Sequence, residues 1–294
     1  MSLDISGEEL KKDCPLDKNC DWCFLFRSTY NYYDLPIHQC NTCGLQTIHP
    51  KDKYDLKAMY NSSYYLGTAN YSYLDERKNE GYESFVWDAR IRNIKKFKKT
   101  GNFLDIGSSF GGFLTRAKKA GFETFGIEIS EYSAQYANER GIRTFNGSLL
   151  DADFPAEFFD VITLIEVIEH LDKPELVFAK LAKLLKPGGL LLIQTANFDG
   201  MQAKEEGPKY HYYLPGHLYY YSLTNLKKIL TKNGFQNYTV YHGVDFPLHA
   251  KLLKSMGSFR SLTDYFKWFR ISYYHLKSKF FKGSTSSLVL YAFK

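Results

Sequence analysis

The sequence lacks any long apolar run and any basic, apolar leader at its start. No stretch approaches the roughly 18 consecutive apolar residues that a membrane-spanning helix needs. The first residues, MSLDISGEELKKD, are polar and acidic, unlike a secretory signal. We therefore expect a cytoplasmic protein. Since disulfides are rare in that compartment, a disulfide framework is not expected, and the five cysteines need another explanation.

Four of the five cysteines are spaced as two pairs. Cys20 and Cys23 form one C-x2-C pair, and Cys40 and Cys43 form a second pair sixteen residues further along. This spacing is typical of a tetrathiolate zinc site, in which each pair supplies two ligands to one tetrahedron. Four cysteine ligands leave no open position for water, so we expect a structural Zn²⁺. Cys14 is left over, although it could replace a member of the first pair.

The cysteine-rich segment lacks the positive charge that nucleic-acid binding requires. Residues 1–60 carry seven Lys or Arg against nine Asp or Glu, whereas phosphate binding depends on basic side chains that displace counterions. Nucleic acid is therefore not an expected partner, and we interpret residues 1–59 as a zinc-ribbon module that stabilises the fold. Residues 60–99 are predicted to form a tyrosine-rich lid and a linking helix, with Tyr64, Tyr65 and Tyr73 as lid candidates.

Strand-like and helix-like patterns alternate from residue 102 onward. Such alternation predicts a parallel sheet with helices on both faces, whose ligands bind at the carboxyl ends of the strands. The turn after the first strand lacks two nucleotide-binding motifs. The second glycine of a dinucleotide fingerprint is replaced by Ser109, and no Gly-Lys-Ser/Thr phosphate loop follows. The sequence therefore disfavours NAD binding and excludes a phosphate loop.

Two carboxylates mark the expected ligand site instead. Asp105 ends the first strand just before Gly107, where an acid would repel a diphosphate but could accept hydrogen bonds from a cationic amino-acid group. Glu128 ends the second strand, where a carboxylate can accept both hydroxyls of a ribose. The ligand implied has a ribose and a positive charge but no diphosphate, and S-adenosylmethionine fits this description.

Five motifs then carry a family resemblance. The segments FLDIGSSFGGFL, GIEIS, FDVITLIEVIEHLDKPE, LLKPGGLLLIQTAN and SSLVLYAFK occur in the order found in class I S-adenosylmethionine-dependent methyltransferases. Residues 100–294 resemble this family, and the head, CDWC…CNTCGL, resembles a subgroup with an N-terminal zinc ribbon. The resemblance implies an enzyme with an α/β, Rossmann-like seven-stranded methyltransferase sheet, helices on both faces and a small zinc ribbon.

The resemblance also implies roles for individual residues. Glu128 would accept the ribose hydroxyls, Ile129 would lie against the adenine, and Glu166 would lie under the sulfonium. In the loop after the third strand, which should contact the adenine, the family often has an acid, whereas this sequence has Gly147, Ser148 and Leu149. The cofactor contacts implied are Asp105, Gly107, Ser108, Gly111, Glu128, Ile129, Ser148, Leu149, Glu166 and Tyr73.

Methyl transfer needs a base only when the acceptor must lose a proton. The candidate bases are His170, which follows the fourth strand, and His217, in the segment GHLYYYS that the family places near the acceptor. An alternative is that Glu166, Glu169 and His170 bind a divalent ion, a pattern similar to that of ubiquinone-pathway O-methyltransferases.

An insertion at about 246–282 precedes the last strand and combines basic with aromatic residues. It holds eight Lys or Arg against one Asp, which predicts amphipathic helices. Such helices can cap the pocket or form a dimer contact, lie on an anionic membrane surface, or bind an anionic acceptor or a nucleic acid.

The sequence as a whole predicts methyl transfer to a small-molecule or glycan-type acceptor, such as a nucleotide-sugar, at oxygen rather than at carbon or nitrogen. One alternative is a catalytically silent S-adenosylmethionine-binding zinc module that recruits a partner. Another is a lipid or quinone methyltransferase at the membrane surface. An RNA methyltransferase is disfavoured, because the head is acidic and no Asn/Asp-Pro-Pro-Tyr motif occurs.

Overall fold

A computed structural model describes residues 14–30, 34–49, 51 and 75–294. The lid candidates Tyr64, Tyr65 and Tyr73 lie outside these residues. Within the described part of the chain, no helix combines the length and the apolar character needed to cross a membrane.

Strands and helices alternate through most of the described chain. The strands are β1 Trp22–Ser28, β2 Leu35–Cys40, β3 Gln46–Ile48, β4 Gly101–Ile106, β5 Phe122–Glu128, β6 Arg143–Asn146, β7 Phe159–Ile165, β8 Leu185–Ala196, β9 Tyr219–Tyr220, β10 Gln236–His242 and β11 Ser287–Phe293. The helices are α1 Glu80–Ile94, α2 Gly112–Lys119, α3 Glu131–Glu139, α4 Pro174–Leu184, α5 Met201–Glu206, α6 Leu223–Lys232, α7 Leu248–Ser255 and α8 Tyr265–Phe280.

The larger sheet has seven strands in the order β10-β11-β8-β7-β4-β5-β6. The pairs among β4, β5, β6, β7 and β8 are parallel, and β11 is antiparallel to both β8 and β10. From β4 the chain continues outward to β5 and β6 and then returns to β7 on the other side. This reversal opens a crevice at the carboxyl ends of β4 and β7, where ligands of open α/β sheets bind. The predicted Rossmann-like α/β class is confirmed.

The central strands are apolar on both faces because helices cover both sides of the sheet. Neighbouring residues alternate between two hydrophobic clusters: Phe103 and Val161 belong to one, whereas Leu104 and Ile162 belong to the other. All four are fully buried. Side chains along a strand point alternately to opposite faces, so a strand buried on both sides must be continuously hydrophobic.

The segment Leu-Lys-Pro-Gly-Gly at residues 185–189 lies inside a strand, although Pro-Gly-Gly is typical of a turn. Strand β8 already begins at Leu185, which pairs with Phe159, and the next paired residues are Leu190 and Val161. Residues 186–189 therefore form a bulge inside the strand, and Gly188 supplies its left-handed backbone at φ 70°.

The smaller sheet joins the cysteine-rich segment to the rest of the chain. Its order is β1-β2-β3-β9, with all pairs antiparallel. Strand β9 comes from the segment after residue 100, and Leu35 and Ile37 share a hydrophobic cluster with residues of the large sheet. The cysteine-rich segment thus packs onto the large sheet through a common core.

The insertion before β11 contains helices α7 and α8. Helix α7 packs against α1, and α8 packs against α7. Helix α1 in turn packs against α2, next to the turn that follows β4. The insertion is therefore attached beside the crevice of the large sheet.

Candidate active site

A cavity of about 410 Å³ lies at the carboxyl ends of β4, β5 and β7. This volume is within the range of small-molecule sites. Residues at the ends of these strands border the cavity on one side, among them Gly107, Glu128 and Glu166. Residues of α1, the segment before α7, and α7 itself border it on the other.

The turn after β4 keeps a left-handed backbone at three positions, although only two of them are glycine. Gly107 has φ 74°, Ser109 has φ 49° and Gly111 has φ 77°. A side chain at Gly107 would place its Cβ 2.5 Å from Cγ2 of Val167, so the turn accepts only glycine there. Gly107 and Ser109 border the cavity, which leaves the main chain close to any bound ligand.

Glu128 is held in place by main-chain hydrogen bonds. Its Oε2 accepts from the N–H of Ser109 at 2.8 Å, and its Oε1 accepts from the N–H of Ser130 at 2.9 Å. Glu128 is buried except where it borders the cavity. A carboxylate accepts hydrogen bonds at both of its oxygens, which suits a diol with two hydroxyl donors. Three further residues predicted to contact the cofactor border the same cavity: Ile129, Ser148 and Leu149.

Asp105 lies inside the sheet and does not reach the cavity wall. The Thr163 hydroxyl donates to its Oδ1 at 2.5 Å. Burial raises the pKa of Asp105 to about 7, against the lowering effect of that hydrogen bond. Three of the predicted cofactor contacts, Asp105, Ser108 and Gly111, are described in the structure but do not border the cavity. Their contacts with a cofactor stay predictions.

The cavity wall around Glu166 is formed by Arg90 and Gln194, two side chains that no sequence motif indicates. Gln194 Nε2 donates to Glu166 Oε1 at 2.7 Å, and Arg90 donates to Gln194 Oε1. Arg90, Gln194 and Glu166 all border the cavity, and Glu166 has φ 54°. The one signal in the sequence is the helical spacing of Glu83, Trp87 and Arg90, which places all three on one face of α1.

A buried ion pair supports this network. Arg90 donates to Asp245 Oδ1 at 2.7 Å, and their side chains are only 4% and 0% exposed. Tyr291 donates to the other oxygen of Asp245 at 2.6 Å. Burial opposes the charge on Arg90, but Asp245 outweighs burial and the pKa of Arg90 is raised. The pair therefore remains charged, and each partner depends on the other.

Of the two predicted bases, His170 borders the cavity and His217 lies behind it. The two rings are 4.7 Å apart between centroids. His170 Nδ1 donates to the Gly216 carbonyl at 2.8 Å, and His217 Nδ1 donates to the Tyr212 carbonyl at 3.0 Å. Each neutral ring therefore carries its lone pair on Nε2. Burial lowers the pKa of His170 to about 4, so this ring is neutral at physiological pH.

A carboxylate completes a small group around the two histidines. Ligand atoms of Glu169, His170 and His217 lie within 4.8 Å of one another. Thr195 donates to Glu169 Oε2 at 3.0 Å, while Oε1 is buried without a hydrogen-bond partner among the described residues. The residue that lies beside Glu169 and His170 in this group is His217, and not Glu166 as in the predicted divalent-ion site. One oxygen and two nitrogens at this spacing could hold a divalent cation.

A family profile described as a methyltransferase domain matches residues 78–240, which is more than half of the chain. The chain belongs to this family. The matched region begins just before α1 and ends within β10, so it contains the carboxyl-terminal strand ends that border the cavity.

Individual relatives of this methyltransferase-family chain cover shorter segments. Ubiquinone biosynthesis O-methyltransferase from Methylococcus capsulatus is 36% identical over 103 residues, which are 32% of this chain and 43% of the relative. Phosphoethanolamine N-methyltransferase 2 from Caenorhabditis elegans is 29% identical over 185 residues, which are 54% of this chain and 41% of the relative. The chain therefore spans about two fifths of the length of each of these relatives.

A solved structure reproduces the fold of the methyltransferase-family chain. Phosphoethanolamine N-methyltransferase 2 from Haemonchus contortus, in complex with S-adenosyl-L-methionine, matches with a TM-score of 0.56 at 19% identity. The match covers 94% of this chain and 69% of that structure. At this level of identity, the similarity shows a shared fold.

Among the cysteines ahead of the methyltransferase fold, the structure places Cys14, and not Cys23, beside Cys40 and Cys43. Cys14, Cys40 and Cys43 lie together, with Cys14 Sγ 3.5 Å from Cys43 Sγ, and the Cys20 thiol interacts with those of Cys14 and Cys40. Cys23 is exposed on β1. The reason is strand alternation: Trp22 pairs with Cys40 on the buried face, so the next residue, Cys23, points to the opposite face.

Proposed function

We propose that this protein is an S-adenosylmethionine-dependent methyltransferase that transfers a methyl group to an oxygen of a small-molecule acceptor. The observation that carries the proposal is the Glu128 carboxylate, which main-chain N–H groups hold at the edge of a cavity. Beside it, the turn at Gly107 has no room for a side chain. A fixed carboxylate suits a ribose diol, and bare main chain suits close approach of the cofactor.

The residues around the cavity would have two roles: some would bind the cofactor, and one would accept a proton from the acceptor. When bound, S-adenosylmethionine supplies a methyl group that its sulfonium already activates. Gly107 and Glu128 would hold the cofactor, and Glu166 offers a negative charge to its cationic end. His170 is neutral, and its Nε2 lone pair can accept the proton that an acceptor hydroxyl loses. Alignment of the two reactants contributes most of the rate in such a reaction.

Cofactor binding is tested by calorimetric titration of the full chain with S-adenosylmethionine, S-adenosylhomocysteine and NAD. We expect the two adenosyl compounds to bind and NAD not to bind. Glu128→Gln should weaken both adenosyl compounds about tenfold or more, because hydrogen bonds to a charged acceptor are stronger than neutral ones. The control is Glu131→Gln, which removes the same charge from an exposed residue at the start of α3. It should leave both affinities unchanged.

Turnover is tested by transfer of a labelled methyl group from S-adenosylmethionine into fractionated cell extract, followed by mass spectrometry of the labelled product. Glycan-type compounds and quinone or lipid precursors are the first acceptor classes to examine. His170→Asn places an amide N–H where Nδ1 lies, so it keeps a donor for the Gly216 carbonyl while it removes the Nε2 lone pair. It should lower kcat by about a hundredfold without changing cofactor affinity. Tight adenosyl binding with no labelled product from any extract would instead support a silent binding module.

A second candidate role for the same residues is divalent-cation binding by Glu169, His170 and His217. The convergence of these three side chains favours it, and each histidine donates its other ring N–H to a carbonyl, as metal-binding histidines do. A metal-assisted enzyme should lose activity with a chelator and regain it with one divalent cation. Unchanged activity after chelation would leave His170 as the base.

We also propose that Cys14, Cys20, Cys40 and Cys43 hold a structural Zn²⁺. Thiolates on a tetrahedral zinc lie about 3.8 Å apart, given Zn–S bonds of about 2.3 Å. The 3.5 Å between Cys14 and Cys43 is close to that separation. Metal analysis of purified variants tests the set: Cys14→Ser should lose the zinc, and Cys23→Ser should retain it. Retention in Cys14→Ser and loss in Cys23→Ser would restore the set predicted from the spacing.

A further inference from the structure

Helix α8 exposes a continuous apolar stripe. Phe266, Phe269, Tyr273, Leu276 and Phe280 recur at alternating intervals of three and four residues, which aligns them along one face of the helix. All five are exposed, and the three phenylalanines are 78%, 77% and 79% exposed. Large contiguous apolar patches on a protein surface mark interaction sites.

The opposite face of α8 is already used to attach the helix. Trp268 Nε1 donates to Ser255 Oγ on α7 at 2.9 Å, and His275 is buried. Helix α7 in turn packs against α1. The inward face therefore attaches α8 to the fold, and the outward stripe is available to contact another surface.

The borders of the stripe are positively charged. On the helical projection, Arg270 and Lys277 lie on one side of the stripe and Lys279 lies on the other. Asp264 is the one acid in residues 246–282, and it pairs with Lys267. The surface around the stripe therefore favours an anionic partner.

We propose that the α8 stripe docks on the surface of an anionic lipid bilayer. Helices that lie in the membrane interface place aromatic and apolar side chains at the boundary of headgroups and acyl chains, with Lys and Arg towards the headgroups. At about 1.5 Å per residue, the 16 residues of α8 form a rod of about 24 Å that can lie flat on such a surface.

The charge pattern disfavours the other occupants. Two copies packed stripe to stripe would bring Arg270 and Lys277 of each copy against the cations of the other, and the described stripe borders offer no acid to pair with them. A nucleic acid would use the cations but would leave Phe266 and Phe280 in water. An anionic bilayer satisfies both the charge and the apolar surface.

Docking through α8 would place the cavity near the lipid interface. Helix α7 lies between α8 and the cavity, and Phe246 and Lys254, from the segment before α7 and from α7 itself, border the cavity. The α8 stripe lies outside the proposed active site, so membrane docking can be tested independently of methyl transfer.

Vesicle co-sedimentation of the full chain tests the proposal. Vesicles of phosphatidylcholine with about 30% phosphatidylserine should bind the protein at least about tenfold more tightly than pure phosphatidylcholine, and added salt should weaken that binding. The triple change Phe266→Gln, Phe269→Gln and Phe280→Gln should reduce binding by about tenfold or more. The matched control is Phe24→Gln, Leu176→Gln and Met201→Gln, three exposed apolar residues on other elements, which should bind like the wild type.

A second variant separates charge from apolar contact. Arg270→Gln, Lys277→Gln and Lys279→Gln should remove the preference for anionic vesicles while retaining the apolar stripe. Circular dichroism and the melting temperature should match the wild type for every variant, because all the changed side chains lie on the outer surface. Equal binding to anionic and neutral vesicles, or no loss in the phenylalanine variant, would overturn the proposal. So would a wild-type dimer that ignores vesicles and dissociates in that variant, which would assign the stripe to a second copy.

Discussion

At the Glu128 end of the cavity the wall is made by main-chain turns, whereas at the Glu166 end it is made by side chains that reach in from distant elements. Gly107 follows β4, Glu128 ends the adjacent parallel strand β5, and the strand pairing fixes their separation. Arg90, Gln194 and Glu166 come from α1, β8 and the segment after β7, and one buried ion pair supports them. Changes at the first end should therefore act through the shape of the main chain, on stability and cofactor binding together. Changes at the second end should act by leaving a buried charge without its partner.

The largest effect is expected from breaking the buried pair at the Glu166 end. Asp245→Asn leaves Arg90 buried with its charge uncompensated and should lower the free energy of unfolding by about 3–5 kcal/mol. Arg143→Gln removes the pair between Arg143 and Glu123, whose side chains are 69% and 54% exposed, and should cost less than about 1 kcal/mol. Urea unfolding of both variants measures the contrast. Similar losses in the two would mean that the cavity does not depend on the buried pair.

A smaller effect is expected from filling the main-chain turn at the Glu128 end. Gly107→Ala should cost about 3 kcal/mol of stability and abolish adenosyl binding, because its Cβ would meet Val167 at 2.5 Å in a left-handed backbone. Gly141→Ala has the same φ of 74° but no atom within 4 Å, so it should cost only about 1 kcal/mol. Unfolding curves and calorimetric titration distinguish the clash from the backbone strain. Retained cofactor binding in Gly107→Ala would contradict the assignment of the turn.

The two ends of the cavity also differ in how much of their structure can be predicted from the sequence. The sequence predicts that Asp105 ends the first strand and Glu128 ends the second, and the structure ends these strands at Ile106 and Glu128. The agreement arises because a buried strand and a glycine turn are local patterns. Arg90 and Asp245 are 155 positions apart, and nothing near either residue indicates that they meet. Long-range partners of this kind are fixed by packing, which the local pattern does not contain.

The cysteines show a second limit of local spacing. The spacing favours Cys23 over Cys14, but strand pairing turns Cys23 to the exposed face and leaves Cys14 beside Cys43. A one-residue difference in register changes the face of every side chain on a strand. A ligand set predicted from spacing alone is therefore least secure where the pair overlaps the start of a strand.

The buried Asp105 beneath the Glu128 end gives a pH-dependent contrast. Its pKa is raised from 3.8 to about 7, so the proton on this carboxyl stabilises the folded state below pH 4, and that contribution is lost as the pH rises through 7. Asp105→Asn can still accept from Thr163 and carries no charge. It should therefore match the wild type near pH 4 and be more stable than the wild type above pH 8, where the wild-type carboxyl carries a buried charge. Urea unfolding across this range is the measurement, and the exposed Asp153→Asn is the control. A difference that shrinks as the pH rises would contradict the burial argument.

The smallest effect is expected at Ser109, where the turn has a left-handed backbone although the residue is not glycine. A left-handed backbone costs a non-glycine residue about 1–2 kcal/mol, but glycine adds about 0.4–1 kcal/mol of chain entropy to the unfolded state. Ser109→Gly should therefore gain about 0.5 kcal/mol and raise the melting temperature by about 1–2 °C. Cofactor affinity should not change, because the main-chain N–H that donates to Glu128 is retained. Ser109→Ala removes the hydroxyl but keeps the backbone strain, so a Gly variant less stable than the Ala variant would show that strain does not govern this turn.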